Sequence, residues 1–84
     1  YKLNNITVTN FDLGVYHFKL RNFSDAIFRF KFVLLLEPNN VMAHYYLGRC
    51  FYLNNKLQDA LNHLNKALEL DQNFLDAEYL ISKI

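Results

Sequence analysis

The sequence predicts an all-α fold of antiparallel helix hairpins, and three observations carry that prediction. One pattern is written twice: Leu13-Gly14 recurs as Leu47-Gly48 after 34 residues, and the same offset carries Ala26 onto Ala60, Phe30 onto Leu64, Leu34 onto Leu68 and Leu36 onto Leu70. Between the polar breaks, apolar residues fall at helical spacing, and no stretch shows the alternation of a strand. Both glycines of the chain lie inside these helical stretches at one phase. Glycine in a helix costs about 1 kcal/mol relative to alanine, and a cost incurred twice at the same phase marks a close approach of two helices. Ala26 and Ala60 are small for the same reason, seen from the opposite helix. A larger side chain at any of the four overpacks its hairpin by about 1–3 kcal/mol.

The elements follow in order. Residues 1–6 carry no clear period and form an unassigned lead-in. From Val8 the residues Phe11, Val15 and Phe18 mark one helical stripe, and Leu13, Tyr16, His17 and Leu20 a second beside it. Arg21-Asn22 breaks this helix, and Asn22 with Asp25 three residues on predicts a cap for the next. The second helix runs from Phe23 to Glu37. Pro38 lacks an amide proton and clashes with the preceding turn, so with Asn39-Asn40 it closes the first hairpin. The second unit repeats the plan: a helix from Val41 to Leu53, a turn at Asn54-Asn55-Lys56, and a helix from Leu57 to Leu70. After Asp71-Gln72-Asn73, a cap at Asn73 with Asp76 starts a further helix through Leu75, Tyr79 and Leu80. The division is thus 1–6 lead-in, 7–40 first hairpin, 41–74 second hairpin, and 75–84 terminal helix.

Composition bounds the function. At 84 residues, 52% of them hydrophobic, the chain is one small domain with ample material for a core and a thin margin of stability. Nine basic residues against eight acidic ones, with no Lys/Arg run, give no electrostatic case for a nucleic acid or an anionic membrane. The longest apolar run, Phe32 to Leu36, is far too short to span a bilayer, and no signal-peptide pattern appears. A chain opening on Tyr1 is expected to be cut from a longer one, so the compartment stays open, with the cytoplasm favoured. Cys50 stands alone, which excludes an internal disulfide and makes it a small core residue. His17, His44 and His63 are not paired with Cys or carboxylates at ligand spacing, and His44 reads as a surface or packing residue. No phosphate-cradling loop or nucleophile and base motif is present. The expectation is a chain without catalytic residues, metal or cofactor.

With Leu-Gly, then Ala, then a large apolar residue and Pro at this period, the chain resembles the tetratricopeptide repeat family from Thr7 to Phe74. The resemblance implies an α-solenoid of two full repeats plus a terminal helix that begins a third. It departs at Asn10 and His44, where the family often has Trp, at His17, where it favours an aromatic, and at Gln72 in the place of Pro38. The family's first helices line a concave groove that receives an extended peptide or a helix. Carried onto this chain, the partner-binding residues are Phe11, Val15, Phe18, Met42, Tyr45, Tyr46, Arg49, Tyr52 and Tyr79. Tyr and Arg suit such a surface because they bury much area with few torsions and keep a polar handle. Members that clamp the carboxylate end of chaperone tails use Lys, Asn and Arg there; this chain has Phe11, Val15, Tyr46, Asp76 and Leu80, which argues against that role.

A competing site lies on the second helix. Phe28, Phe32 and Leu35 fall at i, i+4 and i+7 on the face the family turns to solvent, where the second unit has Asn62, Lys66 and Glu69. An apolar version of that face is expected to pack on an upstream segment, on residues 1–6 folding back, or on a second copy in a homodimer. The sequence therefore predicts a protein-interaction module using an aromatic concave groove, with a structural or oligomerisation segment as the alternative.

Overall fold

The computed structural model describes residues 2–84, with side chains from Asn5 onward. Five helices follow one another: α1 (Lys2–Lys19), α2 (Phe23–Leu36), α3 (Val41–Leu53), α4 (Leu57–Leu70) and α5 (Leu75–Ser82). No strand occurs among the described residues. α1 packs on α2 and α3 on α4 as hairpins, α2 and α4 hand over to α3 and α5, and α1 meets α3 more lightly. The assembly measures 37 × 27 × 16 Å.

α1 takes in residues 2–6, which have no apolar period; they extend the first helix instead of folding back over α2. Tyr1 lies outside the described residues.

The glycines sit where the steric argument puts them. A Cβ built on Gly14 would stand 2.6 Å from Cε1 of Phe30, and one on Gly48 2.5 Å from Cγ of Leu64. Phe30, Val33, Leu47, Cys50 and Leu64 are the largest fully buried side chains, and Ala26, Ala60 and Ala67 close around them. Burial pushes the Cys50 thiol up to about 12, against a smaller lowering by Arg49, as suits an inert core residue.

Both hairpin turns are built alike. Asn22 N–H reaches His17 O at 2.9 Å and Arg21 N–H reaches Phe18 O at 3.0 Å; 34 residues on, Lys56 reaches Phe51 O at 2.8 Å and Asn55 reaches Tyr52 O at 3.1 Å. This is the paired closure of a Schellman motif, which requires a left-handed residue. Arg21 supplies it with φ 63° and Asn55 with φ 62°.

The caps differ from expectation. Asn22 caps α2 by position alone, with no side-chain hydrogen bond; at ψ 74° it lacks the extended backbone that aims a capping side chain at the helix. Asn73 does not cap α5 either. Its backbone N–H is taken by Asp71 Oδ1 at 3.2 Å, and the N-cap falls one residue later on Phe74. The side-chain cap of the molecule's second hairpin is Asn40, whose Oδ1 accepts from Ala43 N–H at 2.9 Å while its Nδ2 donates to Glu37 Oε1 at 2.9 Å.

Candidate functional site

The apolar residues of α1 and α3 that do not enter the core meet along one side of the molecule, and their rings form a connected set. Tyr46 is its hub. Its ring stacks on Phe30 at 5.3 Å, an aromatic with no exposure, and takes the edges of Phe18 at 5.5 Å, Phe11 at 5.7 Å and Tyr45 at 5.8 Å. Tyr45 then reaches Phe74 at 4.7 Å, in the turn that leads into α5. Ring pairs at these separations add about 0.5–1.5 kcal/mol each beyond the area they bury, so the rings of the wall brace one another.

Arg49 lies across the wall. Its guanidinium carbon is 4.6 Å from the Phe18 ring centroid, 5.3 Å from Tyr46 and 5.5 Å from Tyr45. Among the described residues it makes no hydrogen bond and no ion pair. A guanidinium held through its face by aromatic rings keeps its in-plane N–H fork able to donate. Burial pushes the Tyr45 hydroxyl above its usual range, Arg49 opposes the shift, and Asp76 and Tyr46 add to it.

The structure brings together Phe11, Phe18, Tyr45, Tyr46 and Arg49. Val15 and Tyr52 are half-buried against the core cluster and stand outside the ring network. Met42 is exposed and, with Thr7, Val8, Phe11, Glu37 and Asn40, lines a cavity of about 310 Å³ at one end of the wall. Tyr79 is 63% exposed on α5, with the Lys83 ammonium 5.1 Å from its ring. Phe74 is the member that sequence reasoning missed: it falls in a turn, outside the first helices onto which the family's groove was carried.

The outer face of α2 is a second candidate. Phe28 is 65% and Leu35 78% exposed, with Phe32 half-buried between them. With Lys31 and Leu34 these three line a cavity of about 470 Å³, and on the other flank Ile6, Asn10 and Arg29 join Phe28 and Phe32 around one of about 300 Å³. On α4 the matching positions are polar: Gln58 Nε2 donates to Asn62 Oδ1 at 3.1 Å, and Lys66 pairs with Glu69 at 3.4 Å.

A polar bridge that the sequence reading did not anticipate crosses each hairpin. In the first, Arg29 Nη1 donates to Asn10 Oδ1 at 2.8 Å, and Asn10 Nδ2 donates to Ile6 O at 2.9 Å. In the second, buried His44 holds His63 at 3.1 Å between Nδ1 atoms and Pro38 O at 2.9 Å through Nε2. His44 is thus a packing residue. The signal was present in the offset, which carries Asn10 onto His44 and Arg29 onto His63.

Among the described residues, no group of three His, Cys, Asp or Glu side chains could hold a metal ion, and no helix is long and apolar enough to cross a membrane. A family model described as tetratricopeptide repeat matches residues 11–73. No curated protein matches the chain.

Proposed function

The chain belongs to the tetratricopeptide repeat family, whose modules generally mediate protein–protein interaction, and from that premise we propose that it binds an extended peptide or a helix along the wall built on Tyr46 and Arg49. The repeats would be 7–40 and 41–74, with 75–84 opening a third. The observation that carries this reading is the Arg49 guanidinium, fixed on three rings with no acceptor of its own among the described residues. An acceptor on the partner would take the fork, and apolar side chains would cover Tyr45, Met42 and Tyr79. The rings are already braced, so little ordering entropy opposes binding. The composition of the wall still argues against clamping a chaperone tail by its carboxylate. A peptide library screened against the chain would identify a ligand; Tyr45→Ala and Arg49→Ala would each then weaken it by roughly tenfold or more. Unchanged affinity in both variants would remove the site from the wall.

The exposure of Phe28 and Leu35 favours a second reading, self-association through the outer face of α2. Light scattering over a concentration series separates the two. A dimer abolished by Phe28→Ser with Phe32→Ser supports that face, whereas an unchanged monomer in both proteins leaves the wall as the site.

A further inference from the structure

The wall carries a cation along its length and an acid at one end, and the fold sets the distance between them. On α3 the residues Met42, Tyr45, Tyr46 and Arg49 fall at i, i+3, i+4 and i+7, so they share one face of the helix over two turns. Arg49 closes that row, its guanidinium lying on Phe18, Tyr45 and Tyr46. Met42 opens it and lines the cavity of about 310 Å³ to which α1 contributes Val8 and Phe11.

Glu37 is the one charged residue lining that cavity. Asn40 Nδ2 donates to its Oε1 at 2.9 Å, and Asn40 is itself tied to the start of α3 by accepting from Ala43 N–H at 2.9 Å. The carboxylate is thus positioned by the cap of the same helix that carries Arg49. Among the described residues neither Glu37 nor Arg49 makes an ion pair. Asp76 on α5 acts on the Tyr45 hydroxyl without pairing with the guanidinium.

Each end suits a ligand group of opposite sign. A Lys or Arg of a ligand can lay its methylene stem on Val8, Phe11 and Met42 while its head reaches the Glu37 carboxylate. The in-plane fork of Arg49 matches a carboxylate. From Met42 to Arg49 the helix rises about 10 Å. An extended chain covers that distance in about three residues, and three residues make one turn of a polyproline-type chain, which brings both side chains to the same side.

Resting on the reading that the wall is the binding site, we propose that its ligand is an extended peptide with opposite charges three residues apart: a Lys or Arg at Glu37, an Asp or Glu on Arg49, and the residues between them passing over Tyr45 and Tyr46. A peptide of uniform charge meets one end that attracts it and one that repels it, so the wall discriminates against both uniformly acidic and uniformly basic ligands.

The test uses a library of end-blocked peptides of about seven residues, too short to hold a helix in water, selected against the wild-type chain. Selected ligands should carry Lys or Arg three residues from Asp or Glu. Replacing that cation by Met, or that acid by its amide, should each lower affinity about fivefold or more. Glu37→Gln keeps an acceptor for Asn40 and should cancel the first loss alone, and Arg49→Gln the second alone. Ligands that are weakened by Tyr45→Ala but carry no such pair, or lose nothing on either replacement, would overturn the charge pairing and leave the wall as the site. Selection of no peptide, or of peptides indifferent to Tyr45→Ala, would remove the wall as the site and the pairing with it. The replacements in the peptide need no altered protein, so they decide the matter even should a variant not fold.

Discussion

Phe30 fills the space between α1 and α2 with a flat ring whose far side stacks on Tyr46, whereas Leu64, 34 residues later, fills the same space between α3 and α4 with a branched chain that ends in the core. The core of the first hairpin is therefore coupled to the aromatic wall through Phe30, while the second hairpin meets the wall through Tyr45, Tyr46 and Arg49 on α3. The bridges and outer faces diverge in parallel. Arg29 with Asn10 and an apolar α2 face mark the first hairpin; His63 with His44 and a polar α4 face mark the second. One backbone plan thus tolerates different chemistry at matching positions, provided the close approach at the glycine is kept. The two units share an architecture and differ in the chemistry at matching positions.

Substitutions at four kinds of position bear on that comparison, in falling order of effect. Gly48→Ala places a methyl against the branch carbon of fully buried Leu64, and Gly14→Ala places one against the rim of the Phe30 ring. Chemical denaturation should show a loss of about 1–3 kcal/mol for each, less any gain in helix propensity, and the larger loss at Gly48, where the core has less room to yield. Only Gly14→Ala should also move the NMR resonances of the Tyr46 ring; silence there would break the claim that the first core is coupled to the wall. Next come the caps. Asn40→Ala removes a made hydrogen bond and should cost about 1 kcal/mol, while Asn22→Ala removes none and should stay within about 0.5 kcal/mol. A cost at Asn22 matching that at Asn40 would make the two helix starts equivalent after all.

The turns should respond in opposite directions. Asn tolerates the left-handed conformation better than other non-glycine residues, so Arg21→Asn should stabilise by a few tenths to about 1 kcal/mol, and Asn55→Ala should destabilise by a similar amount. The smallest effect belongs to the outer face of α4. Lys66→Ala breaks a largely exposed i,i+3 pair and should change unfolding by no more than about 0.5 kcal/mol.

The fold was legible because the close approach of two helices leaves a mark that needs no three-dimensional knowledge. Gly14 and Gly48 at one phase, with Ala26 and Ala60 opposite, fix the hairpin, and Pro38 and Asn54-Asn55 fix its ends. The start of α1 was not legible, since a helix whose first turns are polar shows no period. The caps proved harder because Asn22 and Asn73 have the right composition in the wrong backbone geometry. Part of the wall could be read in advance: Phe11 and Phe18 from their helical stripe, and Tyr45, Tyr46 and Arg49 from the family resemblance, which places a groove on the first helices of the hairpins. Phe74 could not, because its position depends on how the turn before α5 passes Tyr45. The histidine bridge escaped for a related reason: partners 19 residues apart on facing helices share no local spacing, and only the comparison with Asn10 and Arg29 reveals them.

Cys50 gives the molecule a clock. Its thiol has no exposed surface, sits among Ala26, Phe30 and Leu47 in the core cluster, and is held almost wholly protonated at neutral pH. A thiol reagent in solution can therefore reach it only when the helices around it part, and with a single cysteine in the chain every labelling event reports that same parting. The labelling rate, followed by mass spectrometry over time, is a direct measure of how often this small stack of helices breathes.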